Sequence, residues 1–198
     1  MSAVTLPLFP LHTVLFPGGP LGLRIFEPRY LDLVRRCLRE QSGFGVVLLT
    51  EGEEAGAATA IAAVGTEARI VDFDPLPDGM LGITCLGTRR FRVAERWQQG
   101  DGLNLARIEY LAEEPQCALP SELAHLARLL RELLPKLGRG YAHVDAHYDS
   151  AGWVANRWAE VLPLSAAERL QLLEQEDPLL RLAQVAALSA RQPAAAGV

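Results

Sequence analysis

The run His143-Val144-Asp145-Ala146-His147-Tyr148-Asp149 holds the most obvious potential chemistry of this chain. On a helix, His143 and His147 would share one face, one turn apart. With Asp145 or Asp149 they would offer a Zn²⁺ ion nitrogen and oxygen ligands. A metal-dependent hydrolase could be built that way. Two features oppose it. No glutamate follows His143 as in H-E-x-x-H, and Gly138, Gly140 and Gly152 frame the run as a loop. We read it as a solvated connection, with no metal and no cofactor. Nucleophilic catalysis has little more to draw on. G-x-S-x-G does not occur. Cys37 falls on the apolar face of a helical pattern, Cys85 within an apolar strand pattern and Cys117 in a linker, so all three read as inert thiols.

Two charged groups remain. Arg89, Arg90, Arg92 and Arg96 surround Phe91, and arginines interleaved with an aromatic suit RNA. Strand alternation would place Arg90, Arg92 and Arg96 on one face and Arg89 on the other. The formal net charge of the chain is -5. A solvated strand face paired with Glu67, Asp72 or Glu95 is the simpler account, and nucleic acid is not an expected partner. Glu27, Arg29 and Tyr30 stand where a strand turns into a helix. They would either form a recognition rim or serve the helix itself, Glu27 favouring its N-terminal dipole and Tyr30 packing inward.

The elements that position these residues change character near residue 118. Before it, short β-like runs dominate. Residues 5–16 read as an extended segment, with Pro7 and Pro10 fitting an edge or irregular strand. Pro17-Gly18-Gly19-Pro20 is a turn, and residues 21–26 alternate as a strand. A helix opens at Pro28, carries Tyr30, Leu31, Val34, Cys37 and Leu38 inward, and ends near Ser42-Gly43. Residues 45–50 form a buried strand, and 51–59 a small, acidic, mobile loop. Strands over 62–73 and 80–93 flank Asp78-Gly79 as a hairpin, and Gly87 marks a bulge or bend. Residues 103–111 supply one more strand. Beyond 118, helices are expected over 121–137, over 153–162, from a Ser165/Glu168 capping box, and from Asp177-Pro178. The leucine stripe of 121–137 is expected to be core, and any part of it left exposed would be a partner-binding face.

Composition bounds the rest. Hydrophobic residues make up 49% of 198, enough for a sizeable core. Lys136 is the single lysine. Three widely spaced cysteines without C-x-x-C point to reduced thiols and a cytoplasmic location. The N-terminal 20 residues lack a basic region and are broken by prolines, so they do not read as a signal peptide. No apolar run reaches the roughly 18 residues a membrane span needs.

Set in order, these segments resemble a known family. Leu6-Pro7-Leu8-Phe9-Pro10-Leu11, Val14-Leu15-Phe16-Pro17-Gly18 and Ile25-Phe26-Glu27-Pro28-Arg29-Tyr30 look like the opening signature of the Lon protease N-terminal substrate-binding domain. Val64-Gly65-Thr66, Leu76-Pro77-Asp78-Gly79 and Leu86-Gly87-Thr88-Arg89-Arg90-Phe91 continue it. Trp158-Ala159-Glu160-Val161-Leu162-Pro163-Leu164 and Leu172-Leu173-Glu174 extend it through the helical half. The resemblance implies an α+β fold: a PUA-like β pseudobarrel with an inserted helix over 1–117, a C-terminal helical bundle over 118–192, and a disordered tail over 193–198. G-x-x-x-x-G-K is absent, and one lysine cannot serve both a P-loop and a Ser–Lys dyad. Lon-type ATPase and protease activity are therefore not expected here.

The resemblance implies a non-catalytic polypeptide-binding module. It would bind unfolded or apolar segments and have a protease among its partners. Its candidate contacts are Phe26, Glu27, Arg29, Tyr30, Arg90 and Phe91. Binding would proceed by strand addition, with the proline-rich 6–16 segment as a candidate edge, or in a groove between barrel and helices. An RNA-binding PUA-like protein and a hydrolase using His143 and His147 are the alternatives. The sequence sets no oligomeric state.

Overall fold

A computed structural model describes residues 4–52, 54 and 58–190 of the chain. The fold is mixed α+β. Six strands form one sheet: β1 (Val4–Leu11), β2 (Pro20–Ile25), β3 (Phe44–Gly52), β4 (Ala58–Pro75), β5 (Leu81–Gln98) and β6 (Asn104–Tyr110). Their order is β2-β5-β4-β3-β1-β6, and β6 pairs again with β5, so five strands close on themselves. The first helix, α1 (Pro28–Glu40), is inserted between β2 and β3. After the sheet come α2 (Ala124–Leu133), α3 (Ala151–Val161), α4 (Ala166–Glu174) and α5 (Pro178–Ala190), with 3-10 segments between.

β1 corrects one expectation. It is not an edge of the sheet, because it pairs with β3 in parallel and with β6 in antiparallel. Its prolines survive there for a local reason. The β6 ladder covers Val4 to Leu8 and the β3 ladder covers Leu8 to Leu11, overlapping at Leu8 alone. Each half of β1 thus has one unpaired side, where a missing N–H costs nothing. The segment is paired on one flank along each half, and its prolines blunt the sides left open.

Gly87 does mark an irregularity. Thr66 pairs with Arg90 while Ala68 pairs with Gly87, so β5 carries an extra residue between them. A Cβ on Gly87 would stand 2.2 Å from the Phe16 carbonyl oxygen. The bend brings β5 against the Pro17-Gly18-Gly19 turn, with Gly18 N–H donating to Gly87 O at 2.8 Å.

The helical half begins less regularly than its leucine pattern implies. The expected 121–137 helix is a 3-10 turn Ser121–Leu123, then α2, then a 3-10 turn Leu134–Lys136 enforced by Pro135. The α3 helix starts two residues early, its cap formed by Ser150. The capping box on α4 is present: Ser165 accepts from Glu168 N–H, and the Glu168 carboxylate accepts from Ser165 N–H at 2.8 Å. The expected 193–198 tail lies outside the described residues, as does part of the expected 51–59 loop. Of that loop, residues 51–52 and 58–59 belong to β3 and β4.

Apolar packing joins the halves. Val14, Phe16, Leu48 and Val64 of the strand half meet Leu162, Leu172, Leu173 and Val185 of the helical half in one buried cluster.

Candidate functional site

The strand-to-helix junction is tightly built. Glu27 caps α1 with no side-chain hydrogen bond of its own to the helix, and Pro28 opens the helix. The Arg29 guanidinium pairs with Glu27 at 2.7 Å, donates to the Gly102 carbonyl at 2.9 Å, and lies 4.9 Å from the centre of the Tyr30 ring. Tyr30 is buried and stacks on Phe9 with ring centroids 3.8 Å apart. Burial pushes its phenol up to about 12. Glu27 and Arg29 therefore tie α1 to the β5–β6 loop, and Tyr30 belongs to the core beneath. Phe26, one residue before Glu27, is different: its exposure is 59%.

Arg90 and Phe91 sit inside the molecule. The Phe91 ring is fully buried among Leu6, Leu8, Val47 and Ile108. Gly45 and Gly65 make room for it: a Cβ on either would lie within 2.8 Å of Phe91 Cζ. Arg90 corrects the expectation of a solvated arginine face. The extra residue in β5 breaks the alternation before it, and the side chain turns inward. It donates to Leu173 O at 2.7 Å and Gln175 O at 3.1 Å, and pairs with Glu114 at 3.1 Å. Burial lowers its guanidinium from its usual range, opposed by Glu114. Arg89, outside, lies over the Tyr110 ring at 3.9 Å, and Arg92 is exposed. The arginines thus do not form one surface for a phosphate backbone.

Sequence reasoning missed two buried polar networks. Glu114 also takes a paired contact from Arg181 of α5, at 2.6 and 2.9 Å, while Arg181 donates to Leu172 O and Asn156 Oδ1. In the second, Arg157 of α3 is wholly buried and pairs with Glu160 at 2.5 Å. It also donates to Pro17 O at 3.0 Å, and the Tyr141 hydroxyl donates to Glu160 at 3.1 Å. Gly19 has no room for a side chain, since a Cβ there would meet Glu160 Oε1 at 2.0 Å. The available signal was the recurrence of Glu160 and Pro17-Gly18 within one ordered set of motifs.

The histidine run does not assemble a metal site. A 3-10 segment Arg139–His143 ends at His143, so the one-turn spacing to His147 is lost. His143 Nε2 instead lies 3.5 Å from Asp72 Oδ2, and His147 lines a cavity of about 490 Å³ with Cys117, Asp149 and Trp153. Among the described residues, no group of three or more His, Cys, Asp or Glu is placed to hold a metal ion. Cys37 and Cys85 are buried; burial raises both thiols, Cys85 to about 12, which disfavours the reactive thiolate.

A closed mixed sheet with an inserted helix, fastened to a helical half by buried arginines, defines an α+β domain whose polar groups largely serve its own architecture. Comparison with known proteins narrows the class. The model of the ATP-dependent protease La (LON) substrate-binding domain matches residues 5–190, and the chain belongs to that family. Lon protease of Anaeromyxobacter dehalogenans (strain 2CP-C) is 30% identical over 196 residues, covering 94% of this chain and 23% of that protein. Lon protease 2 of Myxococcus xanthus is 30% identical, with 94% and 24% covered. The chain thus spans about a quarter of the length of these relatives. Among solved structures, a Lon N-terminal domain protein from Xanthomonas campestris is 43% identical. It superposes with a TM-score of 0.76 over 96% of this chain and 99% of that one. The N-terminal domain of Mycobacterium avium complex Lon protease shares the fold at 16% identity and TM-score 0.62, over 96% of this chain and 100% of that one.

Proposed function

We propose that this chain is a non-catalytic recognition module that binds unfolded or apolar polypeptide segments in the cytoplasm, with a protease among its partners. Its closed sheet is of the PUA-like type, and the helices beyond residue 118 form one bundle against it. The observation that carries the reading is the match of residues 5–190 to a substrate-binding domain, with Lon proteases as relatives. Geometry supports it in a second way. The buried arginines and glutamates are consumed by internal pairs, while apolar side chains such as Phe26 stand exposed to a client. Among the described residues, no helix is long and apolar enough to cross a membrane.

Of the six candidate contacts, Tyr30, Arg90 and Phe91 act from inside, holding the junction and barrel in shape, and Phe26 is the apolar side chain that meets a client. Such a site binds weakly and tolerates many sequences, since it reads little beyond backbone and hydrophobicity. An unbiased peptide array probed with the purified protein tests this. Apolar and aromatic peptides should be captured in preference to charged ones. An array with no capture, at protein concentrations far above micromolar, would remove the reading.

A further inference from the structure

β2 stands at the open end of the sheet. Among the described strands it has one neighbour, β5, and its ladder runs without a bulge from Pro20↔Leu86 to Ile25↔Leu81. Antiparallel partners alternate between hydrogen-bonded and non-bonded pairs. Just ahead of β2, Gly87 N–H donates to Gly19 O at 2.9 Å, which sets the phase. Leu21, Leu23 and Ile25 then bond inward to β5, while Pro20, Gly22 and Arg24 turn their backbone groups outward. Pro20 agrees with this phase, having no N–H to lose at a non-bonded position. No described strand takes up the outward groups of Gly22 and Arg24.

The surroundings leave this edge accessible. The 3-10 segment Arg139–His143 packs on β2 at its Pro20 end and runs on towards β4. Gly140 abuts the Pro20 ring at one side, and His143 reaches Asp72 on β4 at the other. A Cβ on Gly22 would meet nothing within 4 Å. Arg24, the one charge on the strand, is already paired with Asp78. Another stretch paired on one side, β4 beyond Ala68, is blunted in three ways: a bulge between Ile70 and Asp72, two aspartates, and Pro75. β2 has none of these in its interior. On the opposite side of the strand, Leu21 and Leu23 are half-buried against the core, and exposed Phe26 follows directly.

An edge of unpaired N–H and C=O groups is matched in full only by another extended backbone. We propose that an extended client segment adds to the sheet along β2. It exchanges backbone hydrogen bonds with Gly22 and Arg24 and lays its alternate apolar side chains beside Leu21 and Leu23, on the face that packs toward the core. This rests on the polypeptide-binding reading and gives it a place and a mode.

The probe is a Val/Leu-rich extended peptide and two versions N-methylated at alternate backbone nitrogens, one set odd, the other even. Binding is read by fluorescence anisotropy on the whole chain. Strand addition predicts that one set loses about tenfold in affinity while the other matches the parent, because a single edge of the peptide bonds the protein. Gly22→Pro, which deletes an outward N–H and spares the inward ladder, should give a similar loss. If Gly22→Pro fails to fold, as checked by circular dichroism, the two methylated sets decide alone. Parent binding with no difference between the sets overturns the edge assignment and leaves polypeptide binding intact. Failure of the parent peptide to bind sinks both. A wild-type dimer in sedimentation that Gly22→Pro dissolves would show that a second copy, not a client, occupies the edge.

Discussion

Phe26 and Tyr30 are four residues apart and have opposite fates. Phe26 is exposed and contributes nothing to the core, so Phe26→Ser should leave thermal stability within about 0.5 kcal/mol of wild type. The same change should weaken capture of apolar peptides about tenfold, the transfer value of part of a phenyl ring. Tyr30 is buried, and its phenol holds its proton to about pH 12. In the unfolded chain it ionises near 10. The unfolded state therefore gains from losing that proton first, and stability falls as pH rises from about 10 to about 12, by roughly 2–3 kcal/mol for this group. Tyr30→Phe should remove that share of the alkaline loss, measured as urea midpoints against pH. Helical periodicity in the sequence places Tyr30 inward. Gly87 announces a bulge or bend but not how many residues it inserts, and a single inserted residue moves every later side chain to the other face, so the sequence could not place Arg90.

At the scale of elements, backbone approach decides which residues are tolerated. Gly87 passes so close to the Phe16 carbonyl that a methyl group has no space and no flexible neighbour to displace. Gly87→Ala should cost about 3 kcal/mol in chemical denaturation, at the upper end of overpacking in a core. Gly22→Ala, by contrast, adds a methyl group to open space and should be near neutral. Most elements were legible: the period-2 strands, the Asp78-Gly79 hairpin, the α4 capping box and the helix at Pro28 all appear. β1 was legible as an extended strand but not in its place between β3 and β6, since two prolines normally mark an edge and sequence does not reveal that each ladder takes one half of the strand. The leucine stripe of 121–137 was readable as core at Leu126, Leu130 and Leu134, while Leu129 and Leu137 are exposed, and Pro135 and the start at Ser121 shorten the true α-helix to ten residues.

Across the whole molecule, Glu114 is the carboxylate shared by a strand arginine and a helix arginine. Removing it would leave two buried guanidinium groups with less charge compensation. Glu114→Ala should lower stability by about 3–5 kcal/mol. It should also loosen the join between the halves, so that, in a Trp97→Phe background, a single unfolding transition splits when followed by circular dichroism and by fluorescence of Trp153 and Trp158. The change from strands to helices was readable because the hydrophobic period shifts from 2 to 3.6 along the chain. The pairing across that division was not, since Arg90, Glu114 and Arg181 are far apart in sequence and each looks like an ordinary surface charge.

The same arrangement sets an order of events during synthesis. β1 can pair with β3 once residue 48 has left the ribosome, and β6 can close the barrel at residue 110. At that moment the groups that hold Arg90, which are Glu114 and the carbonyls of Leu173 and Gln175, have not yet been made. Val14, Phe16, Leu48 and Val64 also lack the helical residues that cover them. The emerging chain awaits a carbonyl 83 positions beyond Arg90. A truncation ending after β6 should consequently be a poor folder, and the growing chain becomes secure only when α4 is translated and its last carbonyls arrive.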